Sequence, residues 1–155
     1  MSAHHLFGFV FCSFMFFTSS SLHAGDEVVG KSSPVPLRLE PAAIPYADMK
    51  TDMPPWPKED ILSGESVHRY MTLYSGDIDV SIYEAEPMTL RLRDYPIDEY
   101  VIVVSGKLIL TADGASPQHF EVGESVMVPK GFSGTWEMQG NFRELVVIIN
   151  EKFQK

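Results

Sequence analysis

A chain of 155 residues, 45% of them hydrophobic, has room for one domain of ordinary size with a real core. Its 12 basic and 21 acidic residues give a net charge of −9. A surface of that sign repels polyanions, which argues against nucleic acid or an anionic lipid surface as a partner.

The first 24 residues have a composition of their own. They contain no Lys, Arg, Asp or Glu, and residues 6–17 are an unbroken run of apolar or small residues, half of them phenylalanine. A run of 12 residues is too short to cross a bilayer as a helix. The apolar core, the polar stretch after it and Ala24 before an acidic segment predict a secretory signal peptide over residues 1–24. A periplasmic or secreted protein without stable membrane insertion follows; the alternative is a retained anchor or a buried N-terminal strand.

Residues 25–66 are rich in proline, because seven of the 11 prolines fall between Pro34 and Pro57. Proline fixes the backbone dihedral φ and lacks an amide donor, so this segment fits neither a long helix nor a central strand. We predict an extended arm along the domain, with four apolar anchors: Leu37, Leu39, Ile44 and Trp56.

Residues 67–155 have the pattern of a single all-β domain. Short segments rich in Val, Ile, Tyr and Thr alternate with turn residues and show no helical period. Nine strands are predicted, over residues 71–75, 79–86, 88–93, 99–104, 107–112, 118–122, 125–129, 134–139 and 143–150. Strands of this number and spacing are typical of a β-sandwich or a small barrel.

Two parts of these strands, residues 101–104 and 145–149, are apolar on both faces. A strand with one face in water should alternate, so we expect their outer faces to be covered by the proline-rich arm, by a second subunit or by both. An uncovered apolar sheet face would itself be an association surface. A homodimer is therefore predicted.

Glycine and proline recur at fixed distances in this domain. Five residues separate Gly123 from Pro129, with Gly131 two positions later, and upstream six residues separate Glu99 from Gly106. With this spacing and the run PKGFSGTWE at residues 129–137, residues 88–149 resemble a cupin, in particular the small cupins related to (S)-ureidoglycine aminohydrolase. The resemblance implies a jelly-roll or double-stranded β-helix barrel.

The resemblance also implies metal ligands, and most of them are missing. The family's motifs place a histidine where this chain has Gly134 and an asparagine where it has Met138. The motifs also place a His-x-His pair before Glu99, at positions that here hold Leu92 and Asp94 or, in the other alignment, Arg93 and Tyr95. Only Glu99 remains of the four expected ligands.

The histidines elsewhere cannot replace that set. Residues 25–155 contain two histidines, His68 and His119, and no cysteine. His119 is predicted to be a solvated turn residue, and no partner is evident for His68. One carboxylate without imidazole partners binds a transition metal weakly, so no metal or other cofactor is predicted.

Strand parity gives a candidate pocket. Alternate side chains of a strand share a face, so Gly134, Trp136 and Met138 should point into the barrel, as should Glu99 with Val101 and Val103. Arg91 and Arg93 on a neighbouring strand are expected to supply counter-charges. The candidate pocket residues are Glu99, Trp136, Arg93, Tyr95 and Met138.

An inward carboxylate must find a partner or a raised pKa. Glu99 is therefore either a structural group bonded to Arg93, Tyr100 or the backbone, or a contact for a ligand. Trp136 is core filler or a stacking surface. The function predicted is an exported, metal-free cupin that binds a small molecule in or near the barrel. The alternative is a hydrolase or isomerase of the ureidoglycine aminohydrolase type, using Glu99 and an atypical metal site, with its catalytic residues unassigned.

Overall fold

Eight β-strands and three short 3₁₀ helices make up residues 35–149, the part of the chain that this computed structural model describes. The predicted signal peptide and residues 25–34 of the predicted arm lie outside the described residues. The chain divides into two units, residues 1–38 and 39–155. All of these strands and 3₁₀ helices lie in the second unit.

The strands carry a high share of β-branched and aromatic residues, which suit a pleated, half-buried surface. In chain order they are β1 (Ile61–Gly64), β2 (His68–Ser75), β3 (Ile78–Ala85), β4 (Met88–Leu92), β5 (Glu99–Ala112), β6 (Gln118–Phe120), β7 (Ser125–Val128) and β8 (Gly134–Ile149). The 3₁₀ helices precede them, at Pro41–Ala43, Tyr46–Asp48 and Lys58–Asp60.

Two antiparallel layers share the long strands β5 and β8. One layer has the order β1-β4-β8-β5-β6, through the first half of β8 and the second half of β5. The other has the order β2-β3-β8-β5-β7, through the remaining halves of the same two strands. This is the predicted jelly-roll architecture, with the core between the layers.

The prediction of separate strands on either side of Gly106 and Gly140 is wrong. Segments 99–104 and 107–112 form the single strand β5, and segments 134–139 and 143–150 merge into β8 as far as Ile149. Gly106 and Gly140 have positive φ values of 71° and 68°, and the β5 register shifts on both sides of Ser105. The chain therefore bends within each strand instead of turning back.

The proline-rich segment adopts short helical turns and an extended backbone, and it is fastened to the second layer. Arg143 on β8 donates hydrogen bonds to the carbonyl oxygens of Pro41 (3.3 Å) and Ile44 (2.8 Å). Lys50 forms an isolated bridge with Tyr70 on β2. The predicted arm also contains β1, an edge strand paired with β4 that the sequence analysis did not predict.

The predicted anchors of the arm are partly wrong. Ile44 and Trp56 are partly buried, whereas Leu39 is 36% exposed. Met49, which was not predicted, is buried, and its sulfur lies 3.9 Å from Nη2 of Arg143. Spacing along an irregular segment gives no periodicity from which to choose the inward side chains.

The core lies between the layers and is formed by alternate residues of β3, β4, β5, β7 and β8. Its buried members include Met88, Leu90, Leu108, Val101 and Phe142. On the outer face of the second layer, Ile82 is fully buried, while Tyr100 and Met127 remain exposed. The described part of the arm therefore leaves some of this apolar outer face uncovered. Among the described residues, no helix is long and apolar enough to span a membrane.

Candidate functional site: buried carboxyl groups in the barrel

Glu99 and Tyr95 form a hydrogen-bonded pair in the interior. Tyr95 lies in the loop before β5. Its backbone is fixed to the loop between β7 and β8 by hydrogen bonds with Phe132 (2.9 Å) and Gly131 (2.7 Å). Glu99 is the first residue of β5, and its Oε2 atom accepts a short hydrogen bond from the hydroxyl of Tyr95. Both residues are only 7% exposed. The partner of Glu99 is thus Tyr95, not Arg93 or Tyr100 as expected.

Burial dominates the electrostatics of this pair. It raises the pKa of Glu99 to about 7, although the hydrogen bond from Tyr95 acts in the opposite direction. The pKa of Tyr95 is raised as well, first by burial and then by the negative charge of Glu99. Tyr95 therefore remains a hydrogen-bond donor, while Glu99 exchanges its proton near neutral pH.

A second buried carboxyl group, Glu144 on β8, shares this interior. It is 4% exposed, and its Oε2 atom has no hydrogen-bond partner. Burial, followed by the charge of Glu99, raises the pKa of Glu144 well above its usual range. In the register, Glu144 lies opposite Tyr83 on β3 and Val103 on β5, all on the inner face. The neutral form of Glu144 is therefore favoured.

Tyr83 connects the carboxyl groups to the proline-rich segment. Its hydroxyl accepts a 3.3 Å hydrogen bond from Nε1 of Trp56, and its ring lies 5.6 Å from that of His68. Burial, and then the charges of Glu144 and Glu99, raise the pKa of Tyr83. The pKa of His68 is lowered by burial, against backbone hydrogen bonds with Met53 and Pro54 that favour its protonated form. Ser81, two residues before Tyr83, also has a buried hydroxyl oxygen without a partner.

The strand parity deduced from the sequence is confirmed. Trp136 is 5% and Met138 2% exposed, both within the core, and the Trp136 ring lies 6.2 Å from that of Tyr95 at an angle of 41°. Glu99, Val101 and Val103 are likewise buried in alternation. Trp136 is thus core filler that also forms an aromatic wall beside Glu99.

The predicted counter-charges lie outside the barrel. Arg93 is exposed and pairs with Asp60 at 2.6 Å, while Arg91 forms a two-point ion pair with Asp113 at 2.5 and 2.6 Å. Arg93 therefore does not belong to the candidate pocket. On β4, alternation places Leu90 and Leu92 inward, which directs Arg91 outward.

The residues present do not fit the metal that many cupins hold. A Cβ atom at Gly134 would lie 2.2 Å from the carbonyl oxygen of Thr111, so the histidine of the family motif has no space on this backbone. Within residues 35–149, no three His, Cys, Asp or Glu side chains are grouped as a metal site would need. Two carboxyl groups without imidazole are a poor donor set for a transition metal.

The remaining sequence predictions divide. His119 is exposed, as expected, but it lies on strand β6 and not in a turn. Two acidic residues of β3 have partners: Asp79 is buried and accepts a 2.6 Å hydrogen bond from Ser75, and Glu84 binds Nε of Arg143 at 2.6 Å. Glu144 was missed because the predicted turn at Gly140 stopped the parity argument there. Carried across it, the even-numbered alternation from Trp136 would have placed Glu144 inside.

Residues 75–144 match the family model described as "EutQ-like cupin domain". Together with the jelly-roll fold, this match shows that residues 75–144 are similar to a cupin domain. No curated protein matches the sequence significantly.

Solved structures agree on the fold. A DUF861-family protein of unknown function from Pseudomonas syringae pv. tomato has a TM-score of 0.62 at 18% identity, over 71% of this chain and 46% of that one. The polyketide cyclase RemF from Streptomyces resistomycificus has a TM-score of 0.52 at 17% identity, over 74% and 80%. A putative ethanolamine utilization protein EutQ from Salmonella typhimurium has a TM-score of 0.47 at 16% identity, over 54% and 69%.

At these identities the first two similarities establish a shared fold and nothing about activity. The chain spans about half the length of the Pseudomonas syringae protein, since it covers 46% of it. The chemistry must therefore be argued from the interior of this barrel itself.

Proposed function

We propose that this cupin-domain protein binds a small polar molecule inside its barrel without the help of a metal. The observation that carries the proposal is the unpaired Oε2 atom of Glu144, a carboxyl group 4% exposed. A buried polar atom without a partner costs about 1 to 3 kcal/mol, so native proteins rarely keep one unless something else pairs with it. The unpaired hydroxyl oxygen of Ser81 on the adjacent strand adds a second acceptor on the same inner face.

Trp56 is the natural point of access. It is partly buried against the core, and it belongs to the irregular proline-rich segment rather than to a paired strand. Its side chain is tied to the barrel through the 3.3 Å hydrogen bond to Tyr83. Moving this segment breaks few backbone hydrogen bonds, whereas opening the sheets would break many.

Methyl-group NMR on methionine-labelled protein tests this proposal. Met88 and Met138 are each 2% exposed inside the barrel, whereas Met127 is 58% exposed on the outer face. A mixed fragment library of polar molecules should contain compounds that shift the Met138 and Met88 signals and leave that of Met127 in place. A library that moves only the Met127 signal, or elemental analysis showing a transition metal at full occupancy, would contradict the proposal.

An enzymatic function is the second candidate, favoured by one observation. A carboxyl group with a pKa of about 7, held by a phenol, can take up and release a proton at neutral pH. The enzyme would be a hydrolase or isomerase of small polar metabolites, of the ureidoglycine aminohydrolase type. Ammonia release from (S)-ureidoglycine, compared between the native protein and Glu99→Gln, tests it. Equal rates in the two proteins, or no release in either, would exclude Glu99 from such a role.

Export and self-association complete the proposal. The composition of residues 1–24 supports cleavage after Ala24 and a periplasmic or secreted destination. N-terminal sequencing of the protein from a host that exports it should begin at Gly25. The exposed Tyr100 and Met127 on the partly covered outer face support a homodimer. Light scattering coupled to gel filtration should give twice the mass of one chain.

A further inference from the structure

The interior of the barrel holds buried carboxyl groups, and no Lys or Arg is among the buried charged residues of the described chain. Each of the four ion pairs found among the described residues uses its basic side chain elsewhere: Arg91 with Asp113, Arg93 with Asp60, Lys107 with Glu121, and Arg143 with Glu84. The other titratable groups facing the carboxyl pair are the phenols of Tyr83 and Tyr95. Asp79 lies further along β3, and His68 lies on the neighbouring strand β2. An anionic ligand would therefore find no positive counter-charge there.

The acceptors that await a partner suit an ammonium group. Glu144 is more than nine-tenths buried with a free Oε2, Ser81 has a free hydroxyl oxygen, and Glu99 uses one oxygen to accept from Tyr95. An alkylammonium offers three donors on one charge, which matches a few acceptors gathered on one inner face of the barrel. Magnesium or calcium would require six or more oxygen ligands around it.

The surroundings of these acceptors are aromatic and apolar. The rings of Tyr95 and Trp136 lie 6.2 Å apart, and Val101 and Val103 follow Glu99 on the inner face. Aromatic faces attract cations, and an apolar wall favours an alkyl chain over the hydration shell of an inorganic ion. Charge, donor count and shape thus favour the same kind of occupant.

We infer that the molecule bound inside the barrel is a small organic cation, a protonated alkylamine, held by the carboxyl groups of Glu144 and Glu99 beside Tyr95 and Trp136. This inference rests on the proposed function and names its ligand class. It adds Glu144 and Ser81 to the residues that set specificity.

Three probes of equal chain length separate charge from size: propylammonium, 1-propanol and propionate, compared at matched ionic strength with sodium chloride. Propylammonium should raise the melting temperature by about 5 °C at a tenfold excess over its dissociation constant. The other two probes should leave it unchanged. Ammonium chloride should have a smaller effect than propylammonium, because it lacks the alkyl chain.

Proton release is an independent readout. Burial raises the pKa of both carboxyl groups, so both are mainly protonated at pH 6 in the unliganded protein. One of them must ionise to pair with an ammonium ion, and its proton is then released. The binding enthalpies measured by calorimetry in phosphate and in Tris should differ by the difference in ionisation enthalpy of the two buffers, as expected for about one proton released per propylammonium bound. Affinity should also increase between pH 6 and pH 8.

Two matched variants locate the site. Glu144→Gln keeps the size of the side chain and removes the charge, and it should weaken propylammonium binding at least about tenfold. Glu137→Gln makes the same change on the same strand, at a side chain hydrogen-bonded to Gln139 outside the core, and should bind like the native protein. Equal affinity of the two variants would overturn the inference.

The remaining outcomes separate the inference from the proposed function. If propionate or 1-propanol, but not propylammonium, stabilises the protein and shifts the Met138 signal, the barrel binds small molecules but not cations, and the inference fails alone. If none of the probes and no fragment in the library shifts that signal, both fail together.

Discussion

Replacing Glu99 with Gln should stabilise the protein, and by more as the pH rises. Burial raises the pKa of Glu99 from 4.5 to about 7 in the folded protein. Between these values the folded state holds a proton on Glu99 that the unfolded state has lost. The contribution of this group to stability is therefore complete below pH 4.5 and declines as the pH rises through 7.

The size of the effect follows from the two pKa values. With 4.5 in the unfolded and about 7 in the folded protein, ionisation of Glu99 costs about 1 kcal/mol at pH 5 and about 3 kcal/mol at pH 7. A glutamine has the same shape, cannot ionise and still offers an oxygen to accept from Tyr95. Glu99→Gln should therefore gain about 2 kcal/mol relative to the native protein between these two pH values.

Urea unfolding at pH 5, 6, 7 and 8 measures this difference directly, provided the slope with denaturant is the same in both proteins. Glu137→Gln serves as the control, because it removes the same charge outside the core on β8. The difference in free energy of unfolding between Glu137→Gln and the native protein should stay constant with pH. If the advantage of Glu99→Gln were also constant, or decreased towards pH 8, the assignment of a raised pKa to Glu99 would be wrong.

Three further predictions concern the frame of the site. Gly134→Ala should lower the free energy of unfolding in urea by about 3 kcal/mol, because its Cβ would lie 2.2 Å from a backbone oxygen. Gly114→Ala is the control: no atom lies within 4 Å of its Cβ, so it should lose only about 1 kcal/mol through the strain of a positive φ. Similar losses would refute the steric argument. Arg143→Ala should lower the free energy of unfolding by about 3 kcal/mol, because it breaks the ion pair with Glu84, whose two side chains are 11% and 16% exposed. It also removes two hydrogen bonds to the proline-rich segment, so that segment should become sensitive to limited proteolysis. Arg91→Ala removes a more exposed pair and should leave the urea midpoint and the cleavage pattern nearly unchanged. Tyr100→Glu places a charge on the exposed outer face and should convert the proposed dimer to a monomer in gel filtration, while an unaltered mass would remove that face from the interface.

The location of strands was predictable because it depends on local pattern. β-branched residues in alternation define β3, β4 and β7 within a few residues. The continuation of β5 through Gly106 and of β8 through Gly140 was not predictable, because a glycine with positive φ occurs both in a tight turn and in a bulge. Which of the two forms depends on whether a neighbouring strand is present to pair across it, as β8 is for β5.

The direction of side chains was predictable only within an unbroken strand. Alternation placed Trp136, Met138 and Glu99 inside the barrel, and the structure agrees. The turn predicted at Gly140 ended this alternation too early, so Glu144 was missed, although the even-numbered positions of β8 continue to face inward beyond the bend. Alternation also could not locate Arg93, which lies just beyond the end of β4, where the pairing that fixes side-chain direction has ceased.

The amino-acid sequence by itself determined that this is an all-β chain of cupin type whose interior strands carry Glu99 but no imidazole, since residue types and their order along a strand decide both. The tertiary structure decided that Glu99 meets Tyr95 and Glu144, and that every basic side chain of an ion pair among the described residues is used elsewhere. The physical reason is that the pKa of a carboxyl group depends on the groups around it in space. Tyr95 lies only four residues before Glu99, whereas Tyr83 and Glu144 come from β3 and β8, which are far from β5 in the sequence and reach it only through folding.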